Sequence, residues 1–282
     1  MANNTRLGEA GNAAACAVCA LALIKLKRNM EMGYIDKDLL KEGILSGNAD
    51  LRLLLASVDK NMVEEDILKD AEPAFQPFTC TYEPRVDESY KNMEEADKEL
   101  MRDLHDSIKS NKMTVRHALK QLKKLKKKYP NVATIYNFIG AAHHALGQNM
   151  RHHYMIKQTC KKFPNYLFGK IALAEYRLLH HQHEDIPEIF DHKLQLYMHY
   201  PELGENPIFH GAEVKSFYTM VGSYYARNAQ LARALKCYFL VEKENPESSV
   251  LDVFIKEIFV AYTVSFLSEA VKEMAKENAP NE

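Results

Sequence analysis

The alternation of apolar and polar positions divides the chain into helices, with one break. Asn12 is placed to cap a helix of about 16 residues running toward Arg28, and its Ala-rich start permits close packing. Short helices are expected over Asp36–Leu45, Asp50–Asp59 and Asn61–Asp70, with Ser46-Gly47-Asn48 ending the first of these. The break is Glu72–Pro84. Pro73, Pro77 and Pro84 stop a helix and favour extended backbone, while Phe75, Phe78 and Tyr82 supply anchors that a flexible linker lacks. An ordered connector held to a surface by its aromatics is expected here.

From Ser89 onward helix follows helix at a regular spacing. The triplet Tyr129-Pro130-Asn131 is echoed by Phe163-Pro164-Asn165, Tyr200-Pro201 follows at a slightly longer interval, and Asn245-Pro246 closes a later unit. The interval between the two triplets, about 34 residues, is the period of a helix-turn-helix array. The clearest unit, Ala133–Tyr166, carries Tyr136, Ile139-Gly140, His143, Gly147, Asn149, His152, Ile156, Thr159 and Pro164. Lys215–Ser248 repeats it with Tyr218, Val221-Gly222, Tyr225, Ala229, Leu231, Ala234, Tyr238, Val241 and Pro246. Glu99–Val132 keeps Val115, Ala118, Leu122, Leu125 and Pro130 but has His105-Asp106 where an apolar-small pair belongs. Leu167–Tyr200 keeps Leu173-Ala174 and Phe190 but has Arg177 and Lys193 at apolar positions, and its second helix is expected to open at Ile186-Pro187. Pro201–Val214 is an insertion, expected to be a loop. Gly140 and Gly222 let the helices of a unit approach closely, and one pair of helices cannot bury its apolar face alone, so units must stack. Val250–Ala275, with Phe254, Ile258, Phe259, Tyr262 and Phe266, is expected to cap the array or to dock a second copy.

Over roughly Ser89–Ser248 these residues resemble the tetratricopeptide repeat (TPR) family. The resemblance implies an all-α, right-handed helix-turn-helix repeat solenoid. It would comprise an N-terminal helical segment (1–70), a Pro/aromatic connector (71–90), about four repeats within 91–248 (99–132, 133–166, 167–200 and 215–248, with the insertion at 201–214) and a C-terminal capping helix and tail (249–282). It also implies a concave groove, lined by the first helices of the repeats, that holds a peptide or a helix. Carried over, the groove positions include Thr134, Asn137, Ala141 and His144, then Phe168, Ile171, Glu175 and Leu178, then Thr219 and Ser223. Phe168, Ile171 and Leu178 would make the apolar contacts, and Asn137 and Glu175 would fix orientation. Asp103, Ser107, Phe138, Phe168 and Ala172 do not supply the Lys/Asn/Lys/Arg set with which some members grip a chaperone tail. The role implied is a non-enzymatic protein–protein interaction scaffold or adaptor with a protein or peptide partner and no cofactor. In the alternative, the connector or the N-terminal helices of this same chain fill the groove.

Composition narrows the picture further. In 282 residues there are eleven glycines and ten prolines, well below average usage, so turns are scarce and helices favoured. Lys and Arg number 37 against 38 Asp and Glu, which excludes a strong global attraction to nucleic acid or anionic membrane. Locally, Arg116–Lys128 carries seven basic residues and no acid, which gives a second reading as an RNA or acidic-partner contact. Twelve histidines include His143-His144, His152-His153 and His180-His181-Gln182-His183, which gives a third reading as a metal-binding edge. The reading preferred for both is structural: a solvated helix face and packing histidines, with no metal. Five cysteines, dispersed except for Cys16 and Cys19, make no disulfide framework and fit a reducing, cytoplasmic setting. The apolar run Ala13–Ile24 is too short to span a bilayer, so no membrane role is expected. No phosphate-cradling glycine loop, nucleophile elbow or zinc-protease motif occurs, and no enzymatic activity is expected.

Overall fold

The structure, a computed structural model, describes residues 60–69, 75–83, 88–246, 250–258, 260, 261 and 264. The helices expected between Asn12 and Asp59, the Cys16/Cys19 pair, the two ends of the connector and most of the chain after 258 lie outside the described residues. The described chain is mostly helical: α1 (Lys60–Lys69), α2 (Glu88–Lys91), α3 (Glu95–Ile108), α4 (Lys112–Lys128), α5 (Ala133–Ala145), α6 (Asn149–Lys162), α7 (Leu167–Leu179), α8 (Ile186–Ile189), α9 (Gly211–Arg227), α10 (Leu231–Glu244) and α11 (250–258). Two short strands, β1 (Thr79–Thr81) and β2 (Ile208–His210), pair in parallel, with Thr79 opposite Ile208 and Thr81 opposite His210. Residues 77–217 form one compact unit. The described residues up to 76 form another with the described residues from 218 onward, so the boundary falls inside α9.

In the unit 77–217 successive helices pack on one another, α3 on α4, α4 on α5, α5 on α6 and α6 on α7, with α3 also on α5. The apolar stripe of α4 (Val115, Ala118, Leu122, Leu125) joins Met101, Leu104 and Ile108 of α3 and Ile135, Tyr136 and Ile139 of α5 in one core. Each such Leu or Ile contributes about 1.5–3 kcal/mol on burial. Asn111 fixes the start of α4, its Oδ1 accepting from the N–H groups of Met113 and Thr114.

Two backbone geometries recur along the chain. Gly147, His181 and Ala229 each hold a positive φ, 69°, 56° and 58°. The first two are separated by the same interval as the proline triplets, and the third is displaced from that period by the length of the insertion. At each, the N–H reaches the carbonyl three residues back, and the next N–H, always of a Gln, reaches five back: Gln148 to His143, Gln182 to Arg177, Gln230 to Tyr225. The ends of α4, α6 and α10 are also alike. Tyr129, Phe163 and Asn245 have φ of −125°, −129° and −149° with ψ of 70°, 70° and 63°, and each precedes the proline that stops its helix. Only Gly147 suits the left-handed turn without penalty. Ala229→Gly is therefore expected to raise stability by about 0.5–1 kcal/mol and Gly147→Ala to lower it by a similar amount. Thermal unfolding checks both, and an Ala229→Gly variant that melts no higher than the parent would contradict the left-handed turn.

The third unit departs from expectation. Its second helix does open at Ile186-Pro187, but it stops after one turn because Asp191 and His192 take φ of 52° and 59°. In place of a long helix, Ile186, Phe190 and Leu196 are buried, and Phe190 meets Phe217 edge-on at 5.5 Å between ring centroids. The insertion does not remain a loop. It supplies β2 and the first turn of α9, and the buried Glu213 accepts from the Tyr200 hydroxyl at 2.6 Å and the His210 N–H at 3.0 Å. The connector is seated on it: Phe78 packs edge-on against Phe209 at 5.6 Å, and a Cβ added to Gly211 would come within 2.9 Å of the Tyr82 ring.

The other unit packs α1 against α10, burying Val63 and Ile67, with ion pairs between Lys236 and Glu64 and between Lys60 and Glu242. Its core holds Tyr218 and Tyr225 of α9, Tyr238 of α10 and Leu251, Phe254, Ile255 and Ile258 of α11.

Candidate functional site

A cleft of about 720 Å³ opens in the unit 77–217. α3 packs on α5, but α5 and α7 make little contact, and the cleft opens between them. Asn137, Ala141 and His144, spaced for one helix face, come from α5; Ala172, Glu175, Tyr176 and Leu179 come from α7; Met150, His152, His153 and Ile156 of α6 lie between. His180, just past the end of α7, closes one side.

Six imidazole and phenol rings stand among the small and aliphatic residues of this lining. His153 stacks on Tyr176 at 3.9 Å, Tyr176 lies 4.1 Å from His180, and the His144 and His152 rings are 5.0 Å apart. Backbone carbonyls orient two of the rings: His152 Nδ1 bonds Gly140 O at 2.9 Å and His180 Nδ1 bonds Tyr176 O at 2.8 Å. An Nδ1 facing a carbonyl carries the proton. Burial lowers the pKa of His152 and of His153, and for His153 the charges of Lys157 and Arg177 add to the effect, so both are neutral at pH 7. Among the described residues the buried His153 Nδ1 has no hydrogen-bond partner. The cleft thus combines stacked rings with apolar side chains, and the Glu175 carboxylate and the Asn137 amide are among its polar groups.

The residues carried over from the repeat pattern are split by the structure. Asn137, His144 and Glu175 line the cleft. Thr134 sits in a smaller depression of about 300 Å³, beside Phe138 and His105, whose rings stack at 4.9 Å. Phe168 is half-buried next to Tyr166, 5.9 Å away. Ile171 and Leu178 are 3% and 5% exposed and belong to the core, so they offer no contact to a partner. Thr219 and Ser223 lie in the other unit, where the buried Ser223 donates to Thr219 O at 3.0 Å.

The reason for the split is that α7 is turned about its axis relative to α5. The positions held by Tyr136 and His143 in α5 are Lys170 and Arg177 in α7. These side chains are partly buried and engaged, Lys170 with Asp191 at 2.5 Å and Arg177 with Gln182 Oε1 at 2.6 Å, while α7 fully buries Ile171, Ala174 and Leu178. Ala172, Tyr176 and Leu179 then face the cleft, one helical position from the expected ones. The charges at Lys170 and Arg177 were the sequence signal for this rotation.

Among the described residues no three His, Cys, Asp or Glu side chains converge as a metal site. The described thiols of Cys160 and Cys237 are pushed up in pKa by burial, which keeps them protonated. Residues 77–83 of the connector do not line the cleft; they are engaged with β2 and Gly211. Among the described residues no helix is long and apolar enough to cross a membrane. Comparison of the chain with protein families, with characterised proteins and with solved structures returns no match.

Proposed function

We propose that the chain is a TPR-like helical repeat protein that acts as a non-enzymatic interaction scaffold, and that the cleft between α5 and α7 receives an extended peptide. The observation that carries this reading is the cleft itself. Two first helices of adjacent helical pairs present Asn137/Ala141/His144 and Ala172/Glu175/Tyr176/Leu179 across about 720 Å³, and neither wall is closed by the described chain. The recurrence of the Gly147, His181 and Ala229 turns supports the repeat reading. The lining defines the peptide: an aromatic or aliphatic side chain against Tyr176, Leu179 and Met150, and a Lys or Arg beside Glu175.

Selection from a displayed random peptide library tests this. Peptides pairing a basic with an aromatic or aliphatic residue are expected to enrich, and the best are expected to bind at least about tenfold more weakly after Ala141→Trp, which fills the cleft. Glu175→Lys is expected to shift the selection from basic to acidic residues. Peptides that bind Ala141→Trp and Glu175→Lys as well as the parent would place the partner surface elsewhere.

A further inference from the structure

We propose that α4 and α6 together form a docking face for the phosphate backbone of a nucleic acid. Neither helix contains Asp or Glu. The acid-free stretch runs from residue 107 to 174 and carries 14 Lys and Arg, while the rest of the chain has 23 against 38 acids. Positive charge is therefore segregated within a chain of net charge −1. The two helices are linked near their C-terminal ends: Lys126 Nζ of α4 donates to Gln158 Oε1 of α6 at 3.2 Å, and Lys162 Nζ of α6 donates to the carbonyl of Pro130, just past α4, at 2.5 Å.

Arg116, Lys120, Lys123 and Lys127 follow one another at helix-face spacing along α4 and are exposed. Lys157 and Lys161 do the same on α6, beside Tyr154, which is 60% exposed. The apolar stripes of both helices, Leu119/Leu122/Leu125 and Met155/Ile156, are buried. Among the described residues these six cations form no ion pair, whereas Lys128 is held by Glu94 and Asp97, each at 2.8 Å.

Helix stability does not explain the pattern. Like charges at i,i+4 destabilise a helix, and the favourable dipole at the C-terminus of α4 reaches only its last turn, not Arg116 or Lys120. A protein partner fits poorly, because protein interfaces are depleted in Lys and centred on apolar or aromatic anchors. A row of Lys point charges at a rise of about 5–6 Å suits phosphates, which are bound without regard to sequence. These residues are distinct from those proposed to hold a peptide.

The test is fluorescence anisotropy with the full chain and a labelled oligouridylate RNA of about 20 nucleotides. With about four phosphate contacts, raising salt from about 50 to 200 mM is expected to weaken binding about 50-fold. The triple variant Lys120→Glu/Lys123→Glu/Lys157→Glu, checked for unchanged helical circular dichroism, is expected to lose at least about tenfold in affinity. Arg102→Glu/Lys109→Glu/Lys256→Glu alters net charge equally and is expected to stay within about twofold of the parent. The proposal is overturned by absence of binding at low salt or by equal losses in the two triples. It is also overturned if polyglutamate displaces the face as readily as unlabelled RNA does, or if anionic vesicles bind where RNA does not.

Discussion

Gly222→Val is expected to destabilise the protein by about 3 kcal/mol, and Gly140→Ala to leave it unchanged or slightly more stable. Both glycines occupy the small position of a helical pair, and the sequence pattern treats them alike. Their surroundings differ. A Cβ at Gly222 would lie 2.5 Å from Phe254 Cζ, 2.9 Å from its Cε2 and 3.0 Å from Cys237 Cβ. Phe254 is 1% exposed and packs 6.0 Å from the Tyr238 ring, so it has nowhere to turn. Overpacking of this kind costs about 1–3 kcal/mol for one added carbon and more for a β-branched residue, against a gain in helix propensity of under about 1 kcal/mol. At Gly140 the nearest atoms, Met155 Cβ at 3.6 Å and His152 Nδ1 at 3.8 Å, are at ordinary contact distance, so the propensity gain of about 0.5–1 kcal/mol decides the sign. Denaturant unfolding of the single variants, and of Gly222→Val with Phe254→Leu, measures the effect. The double variant is expected to recover part of the loss. A Gly222→Val protein as stable as the parent would contradict the packing of α9 on α11.

What was legible in the sequence was local. Prolines at 130, 164 and 246 mark helix ends because the residue before a proline is driven out of the helical region, and the structure shows the same backbone angles before each. Apolar spacing found α3 to α7, α9 and α10 because each buries a stripe at helical period. Non-local features were not legible. The pairing of β1 with β2 joins two very short strands from distant parts of the chain, and neither has a pattern of its own. The one-turn α8 depends on left-handed backbone at Asp191 and His192, residue types that tolerate it without requiring it.

The lining of the cleft was legible only in part. Of the positions carried over by offset, Asn137 and His144 of α5 and Glu175 of α7 line the cleft. The offsets put Ile171 and Leu178 on the wrong side of α7, because they assume a helix rotation that Lys170 and Arg177 change. The rings that define the cleft, His153, Tyr176 and His180, come from two helices and a turn and meet only by stacking of the pairs. The acid-free stretch, by contrast, needed only a count along the chain beyond Lys128 to Glu175.

Lowering the pH from 7 to 4.5 is expected to cost the unit 77–217 about 2–3 kcal/mol through His199 alone. Its ring lies edge-on to Phe190 at 5.7 Å and to Phe217 at 5.5 Å, and Nε2 donates to Lys193 O at 2.8 Å. Burial pushes its pKa from 6.5 down to about 4; the bond to Lys193 O opposes the shift, and the charges of Lys170 and Lys193 add to it. Between pH 4 and 6.5 the unfolded chain therefore binds a proton that the folded chain refuses. Stability rises with pH across that window, is complete above it, and is lost as pH falls toward 4. Burial lowers His143 and His152 as well, so their contributions have the same sign. Asp97, held down by Lys128 and Tyr129, and Asp191, held down by Lys170, lose their contributions only as the pH falls below their ordinary value of 3.8, so the two effects separate on the pH axis. His199→Phe keeps the ring packing and removes the proton site. It leaves Lys193 O without its donor, so the variant is expected to be about 1 kcal/mol less stable at pH 7. Its stability is expected to vary less between pH 6.5 and 4.5, so that the two curves approach and cross as the pH falls. Parallel curves in denaturant unfolding across that range would show that His199 is not held neutral and that the aromatic cluster replacing a long second helix in the third unit is open to water.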